Sequence, residues 1–253
     1  MAKTKQDAQE VSIIEVQQGR FECCVLGKTP LILNRMSEKA ARELLLPRKK
    51  TVADKAASLK HNPPEEYRAS AYKTVGDSEP TRLLMLSTAF KGAMRSVAVD
   101  IPGAAKAQIG RLTYVAGDYV PIYGVPKLFM SIVRSADMNK TPDVRTRAIV
   151  PEWACKLSVT YVKPILREKD VVNLLAAAGI MRGVGDWRPE KGAGNYGQFE
   201  LVSPTDQNFS RIIKIGGLAP QDAALLDPET YDAESAELLG WFTAEATRRG
   251  FAA

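Results

Sequence analysis

The sequence contains a single histidine, His61, and three cysteines, Cys23, Cys24 and Cys155. Any Ser–His or Cys–His nucleophile pair would have to use His61, and no serine or cysteine near it sits in a nucleophile-elbow pattern. No H-x-x-x-H or D-x-D spacing occurs, and no cysteine pair has the C-x-x-C spacing of a zinc knuckle or a dithiol site. Neither a metal nor another cofactor is therefore expected. Cys23 and Cys24 are adjacent in an apolar run and read, with Cys155, as buried free thiols. No apolar run approaches the ~20 residues that cross a bilayer. The first ten residues, MAKTKQDAQE, are polar and lack a signal-peptide core. The expectation is a cytoplasmic protein without a membrane partner.

What is present is charge of one sign, unevenly spread. The 253 residues carry a net +6. From residue 219 to 253, however, seven acids (Asp222, Asp227, Glu229, Asp232, Glu234, Glu237, Glu245) face only Arg248 and Arg249, a net −5, which leaves +11 on residues 1–218. A basic body attracts polyanions; the plain alternative is a basic soluble protein. Charge and loops together point to nucleic acid.

One stretch stands out: MRGVGDWRPEKGAGNYGQFEL, residues 181–201. It places Gly183, Gly185, Gly192, Gly194 and Gly197 among Arg182, Arg188, Lys191, Trp187 and Tyr196. Glycines permit positive φ and close main-chain approach, the cations suit phosphates, and the aromatic faces suit bases. The loop follows a helical pattern and precedes a strand pattern, the reverse of a dinucleotide fingerprint. The plain reading is a Trp187 in the core and an ion-paired turn. A second glycine signal, Gly27-Lys28-Thr29, is not a phosphate-binding loop, because Glu22 stands where its first glycine must be.

Periodicity places other cations. Two early strands are expected at residues 11–16 and 21–26, separated by Gly19. A helix capped by Ser37 is expected to end at Pro47. Residues 48–73 form a polar excursion with Arg48, Lys49, Lys50, Lys60, His61 and Arg68, expected to break at Pro63–Pro64; a solvated charged helix is its plain reading. After a short strand at 82–86, a helix over 89–99 capped by Ser87 or Thr88 puts Lys91 and Arg95 on one face. Strands are expected at 112–115, 119–122, 128–134 and 156–162. Arg145 and Arg147 alternate with Val144, Thr146 and Ala148 and would share one strand face. A helix over 168–178, closed by Gly179, leads into the glycine loop and a strand at 196–202. Helices are expected at 220–226 and 233–248. The sum is an α+β fold, a modified RRM or ferredoxin-like core over residues 1–218. Insertions fall at about 40–75 and 103–124, and an acidic helical extension covers 219–253.

Three segments carry a resemblance. LSTAFKGAMRS (86–96), GVGDWRPEKGAGNYGQFEL (183–201) and GKTPLILN (27–34) resemble the helix entry, the C-terminal glycine-rich loop and the first-strand ending of the RAMP superfamily, which includes the RNA-binding backbone subunits of CRISPR effector complexes. The glycine loop departs from that pattern in its Asp-Trp-Arg-Pro-Glu insert. The resemblance implies a modified RRM that assembles head-to-tail along single-stranded RNA, beside other effector subunits, with residues 48–73 or 103–124 as an inserted thumb. The same pattern admits a phage protein that protects or anneals single-stranded DNA. The expected phosphate contacts are Lys91, Arg95, Arg145, Arg147, Arg182, Arg188 and Lys191, with Trp187 and Tyr196 stacking and Arg48, Lys49, Lys50, Lys60 and Arg68 contributing from the excursion. An RNA endonuclease using His61 and an assembly protein independent of nucleic acid remain the alternatives.

Overall fold

The computed structural model describes residues 13–36, 41, 44–46, 60–134, 142–191 and 194–251. Its backbone is mixed α and β, with three antiparallel sheets. The longest strands are β1 (Gln17–Gly27) and β9 (Ala154–Lys163), which pair along ten positions from Gln17↔Lys163 to Leu26↔Ala154. β9 covers the alternating run expected over 156–162, and alternation buries Leu157, Val159 and Tyr161 on one face. β10 (Phe199–Val202) joins the free edge of β1, and β5 (Thr113–Val115) joins β9, giving the order β10-β1-β9-β5.

Two helices cover one face of this sheet. α2 (Ser87–Val97) contributes Phe90, Ala93, Met94 and Val97, and α4 (Glu168–Met181) contributes Val171, Leu174, Leu175 and Ala178. They close over Val25, Val159, Tyr161 and Phe199 in one continuous core. Burying each large side chain there contributes about 1.5–3 kcal/mol. In chain order the elements run β1, α2, β5, β9, α4, β10, with other elements inserted between them.

The remaining strands build the other two sheets. β2 (Leu31–Ile32), β8 (Pro142–Val150) and β7 (Lys127–Arg134) form one, in the order β2-β8-β7. β3 (Tyr72–Lys73), β4 (Leu83–Leu86) and β6 (Tyr119–Pro121) form the other, in the order β3-β4-β6. α1 (Pro63–Ala69) and α3 (Lys106–Leu112) precede β3 and β5. The C-terminal segment forms α5 (Gln207–Ile215), α6 (Leu218–Leu226) and α7 (Ala233–Arg248).

Several local expectations are corrected. Residues 13–16 are exposed and outside any strand, and Gly19 lies inside β1 rather than between strands. A Cβ there would stand 2.5 Å from the Tyr161 ring, so the glycine marks a crossing side chain and not a turn. Pro63 and Pro64 start α1 instead of breaking it; Asn62 caps the Glu65 N–H, and proline suits the first helical turn. α2 begins at Ser87 itself, with Leu86 in the cap position. Gly179 lies within α4, where a Cβ would meet the Phe199 carbonyl at 2.2 Å; the helix ends at Arg182, followed by Gly183 at φ +64°. β10 starts at Phe199 instead of residue 196. α3 and α5 were not expected. The helix expected after Ser37 lies largely outside the described residues.

The C-terminal segment is wired into the body. Gln221 is fully buried; its carboxamide oxygen accepts from the Arg82 and Leu83 N–H groups, and its NH2 faces the carbonyls of Ile122, Gly124 and Gly216 at 2.8–2.9 Å. Leu128 N–H donates to Glu229 O, and Met130 N–H donates to the buried Ser235 hydroxyl, so this segment closes the outer edge of β7.

Candidate nucleic-acid interface

The glycine loop is stitched to the segment around β2. The Asp186 N–H donates to Ile32 O (3.0 Å), Gly197 N–H to Pro30 O (2.8 Å) and Val184 N–H to Gly197 O (2.9 Å). Gly185 and Gly197 adopt φ +82° and +70°. A Cβ at these two positions would stand 2.6 Å from Ile32 O and 1.7 Å from Val184 O. At both, the close approach that requires glycine is to the protein's own backbone. These glycines shape the loop; they do not leave main chain bare for a ligand.

That tight loop sets Trp187 at φ +49°, a conformation costing about 1–3 kcal/mol for a bulky residue. Its ring lies edge-on to Phe129 (6.2 Å) and tilted against Tyr196 (6.1 Å), and Phe129 also meets Tyr196 (6.4 Å) and Tyr231 (5.7 Å). Phe129, Ile32 and Ile149 form the buried floor of this cluster, on the sheet of β2, β8 and β7. Trp187 remains 37% exposed, so one aromatic stands at the surface on a packed support.

Beside it lies a hollow of about 160 Å³ lined by Arg134, Arg145, Arg147, Asp186 and Trp187, among others. Arg145 and Arg147 share a face of β8, opposite Ser131 and Phe129 of β7. Arg147 is the inner one, its side chain 12% exposed, and its Nη1 donates to Asp186 Oδ2 at 2.9 Å. Burial pulls the Arg147 guanidinium below its ordinary value; Asp186 opposes that and neighbouring Arg145 adds to it. Three guanidinium groups thus line a concave, partly desolvated site whose one lining carboxylate is Asp186, with Glu66 also acting on Arg147, and an anion would relieve the remaining positive charge.

The same loop bounds a second hollow of about 170 Å³ on its other side, between Val184, Gly185, Arg188 and Glu190 and the Thr88–Gly92 turn of α2. Here Arg188 is largely spoken for: Nη2 meets Glu190 Oε2 at 2.6 Å and Nη1 donates to Gly185 O at 2.9 Å. The loop is therefore a ridge between two clefts, with surplus positive charge on the β8 side.

The other sequence-designated residues scatter. Lys91 sits 4.3 Å from the Tyr114 ring centroid, and Arg95 is exposed one turn further along α2. Arg182 pairs with Asp100, and its buried Nε has no partner. Lys191 is exposed at the end of a 3-10 turn. Lys60 Nζ donates to Asp143 Oδ1 at 2.7 Å. His61 bridges two carboxylates, Glu66 Oε1 at 3.0 Å and Asp143 Oδ1 at 3.2 Å. Arg68 donates to the carbonyls of Leu225 and Leu226, capping the end of α6. Arg48, Lys49 and Lys50 lie outside the described residues. The structure brings together Arg145, Arg147, Trp187 and Tyr196, and adds Arg134 and Phe129. Phe129 had a usable signal: it belongs to an apolar run whose partner strand carries the arginines. Arg134 had none beyond its charge.

No protein-family model and no curated protein matches this sequence. Among solved structures, two similar ones are a type III-B Cmr-beta complex bound to cognate target RNA and Cmr6 from Pyrococcus furiosus. The first has a TM-score of 0.36 and 14% identity over 74% of this chain. The second has a TM-score of 0.37 and 9% identity, also over 74% of this chain, and 99% of that protein is covered. The match spans 59% of the length of the chain in the Cmr-beta structure. Among the described residues, no helix is long and apolar enough to cross a membrane, and no three His, Cys, Asp or Glu side chains group as metal ligands.

Proposed function

We propose that this is a non-enzymatic, cytoplasmic protein that binds single-stranded nucleic acid along the ridge of residues 184–190 and the outer face of β8. The observation that carries the reading is the convergence of Arg134, Arg145 and Arg147 on a hollow walled by a supported, half-exposed Trp187. Guanidiniums hold phosphates bidentately, and an adjacent aromatic takes a base face.

The β1, α2, β5, β9, α4, β10 succession, with its strands arranged fourth-first-third-second, supports an RRM-like core. The face of that sheet opposite α2 and α4 is a poor stacking platform. α5 covers part of it, packing Phe209 and Ile212 on Cys24, Leu26 and Ala154. Arg20 and Ser158, bonded to each other at 2.7 Å, occupy another part. This favours the loop and β8 as the contact surface. The non-catalytic reading is favoured by His61, whose two ring nitrogens both face carboxylates and leave no free base aimed at solvent. Head-to-tail assembly along the strand, within a CRISPR-type effector complex, is the role that the sequence resemblance implies.

The test is a titration of labelled single-stranded RNA, single-stranded DNA and duplex across a salt series, with particle size read in parallel. Single-strand preference with steep salt dependence and length-dependent particles is the expected result. The RNA-to-DNA ratio chooses between the effector-complex role and the phage-type role. No binding, with an oligomer unchanged by nuclease, would replace this reading with nucleic-acid-independent assembly.

A further inference from the structure

A larger groove, of about 700 Å³, lies on the sheet of β3, β4 and β6, away from the glycine loop. Tyr72 stands opposite Leu84 of β4, and Tyr119 stands opposite Leu86. Leu84 and Leu86 are two residues apart, so the tyrosines meet diagonally on one face. Their rings lie 5.6 Å apart, tilted by 49°. The Arg35 guanidinium sits 5.6 Å from the Tyr72 centroid, extending the stack to three planar groups. Tyr119, at its outer end, is 45% exposed.

The walls of the groove are cationic and held rigidly. Arg82 is fixed by Asp222 at 2.6 Å and Asp77 at 2.9 Å, and Arg68 is fixed on the α6 carbonyls. Arg35 and Arg68 also line the groove, while the carboxylates of Asp222 and Asp77 are taken by Arg82. A row of tilted flat groups ending in a half-exposed tyrosine, inside a positive groove, suits a base joined to a phosphate. The groove also lies within a short reach of the ridge site. Ile32 lines the hollow beside Trp187, and Arg35 lines this groove. Three residues span at most ~11 Å.

We propose that this groove is a second contact for the same single strand, with a base on Tyr119 and a phosphate near Arg35. The inference rests on the nucleic-acid reading above and extends it to a surface of which the sequence marked only Arg68 and the end of the 48–73 excursion. The experiment uses the full chain and two readouts. The first is crosslinking of the unaltered protein to a single strand carrying a photoreactive base, followed by peptide mapping. The second is affinity of Tyr119→Leu and Arg35→Gln proteins for short and long oligonucleotides. The expected results are crosslinks at Tyr72 or Tyr119, and a loss of roughly 5- to 150-fold for long strands in Tyr119→Leu, the range of one stacked base. Strands too short to reach from the ridge should bind the variant as they bind the unaltered protein.

Crosslinks confined to the ridge, with unchanged long-strand affinity in both variants, would overturn the groove while leaving the ridge intact. Absence of all single-strand binding would overturn both. Displacement of the strand from the groove variants and the unaltered protein alike, with an acidic peptide crosslinking at Tyr119 instead, would make the groove a protein-docking site and end the proposal.

Discussion

Replacing Arg145 with alanine removes a guanidinium that is exposed on β8, on the same strand face as Arg147. The fold gains little from it, because solvent screens it and its charge opposes that of Arg147. Folding stability should change by less than ~0.5 kcal/mol, or about 1–2 °C in Tm for a chain of this size. Binding should respond far more. If Arg145 holds one phosphate, its loss removes a charge-assisted contact worth about 1.5–3 kcal/mol, roughly 10- to 150-fold in Kd. The slope of log K against log salt on single strands should fall by ~0.7. Arg147→Ala is the contrasting case. Its side chain is 12% exposed and paired with Asp186 at 2.9 Å, so truncation leaves a half-buried carboxylate without its partner. That variant should lose about 1–3 kcal/mol of stability as well as affinity. Anisotropy of labelled single strands over a salt series, beside thermal unfolding, reads both quantities. An Arg145→Ala protein with an unaltered Kd and salt slope would refute the assignment of the hollow to phosphate. One that melted many degrees lower would refute the view that Arg145 is surplus to the fold.

Gln221→Leu should cost more than ~3 kcal/mol in urea unfolding, since it strands the Arg82 and Leu83 N–H groups and up to two carbonyls in the interior, Gly216 O keeping the Gly124 N–H; a loss under ~1 kcal/mol would contradict that network. It follows that deleting residues 219–253 should unfold the body instead of merely removing its acidic charge. Gly197→Ala forces a Cβ against Val184 O at φ +70° and should destabilise by at least ~2 kcal/mol, with Trp187 fluorescence reporting the displaced loop. Hydrogen bonding to Arg82 holds the Asp222 carboxyl below its ordinary value. Its stabilisation is therefore present above the unfolded carboxylate range near pH ~3.9 and lost as pH falls through the lower folded value. Asp222→Asn should flatten that acid limb of the stability profile, and an unchanged limb would show that the pair contributes nothing.

Local pattern made much of the chain legible. The alternation of β9 and the apolar face of α4 follow from residue periods that sequence displays directly, because each element buries one face. Pro63, Pro64, Gly19 and Gly179 misled for one shared reason. Proline and glycine mark breaks when only neighbours in sequence matter, yet here α1 starts on its prolines, while Tyr161 and the Phe199 carbonyl occupy the space above the two glycines.

The candidate site divides in the same way. The cations, the loop and the shared face of Arg145 and Arg147 were determined by sequence alone, through composition and a period of two. Which cations remain available was decided only by tertiary structure. Arg68 caps α6 and Arg182 pairs with Asp100, both through partners that fold into reach, whereas Arg188 pairs with Glu190 two residues along, as the ion-paired-turn reading of the sequence allowed. The hollow beside Trp187 and the Arg35–Tyr72–Tyr119 stack likewise join residues distant in sequence. A sequence displays the charge of each side chain, but its partner is set by which strands and helices pack together.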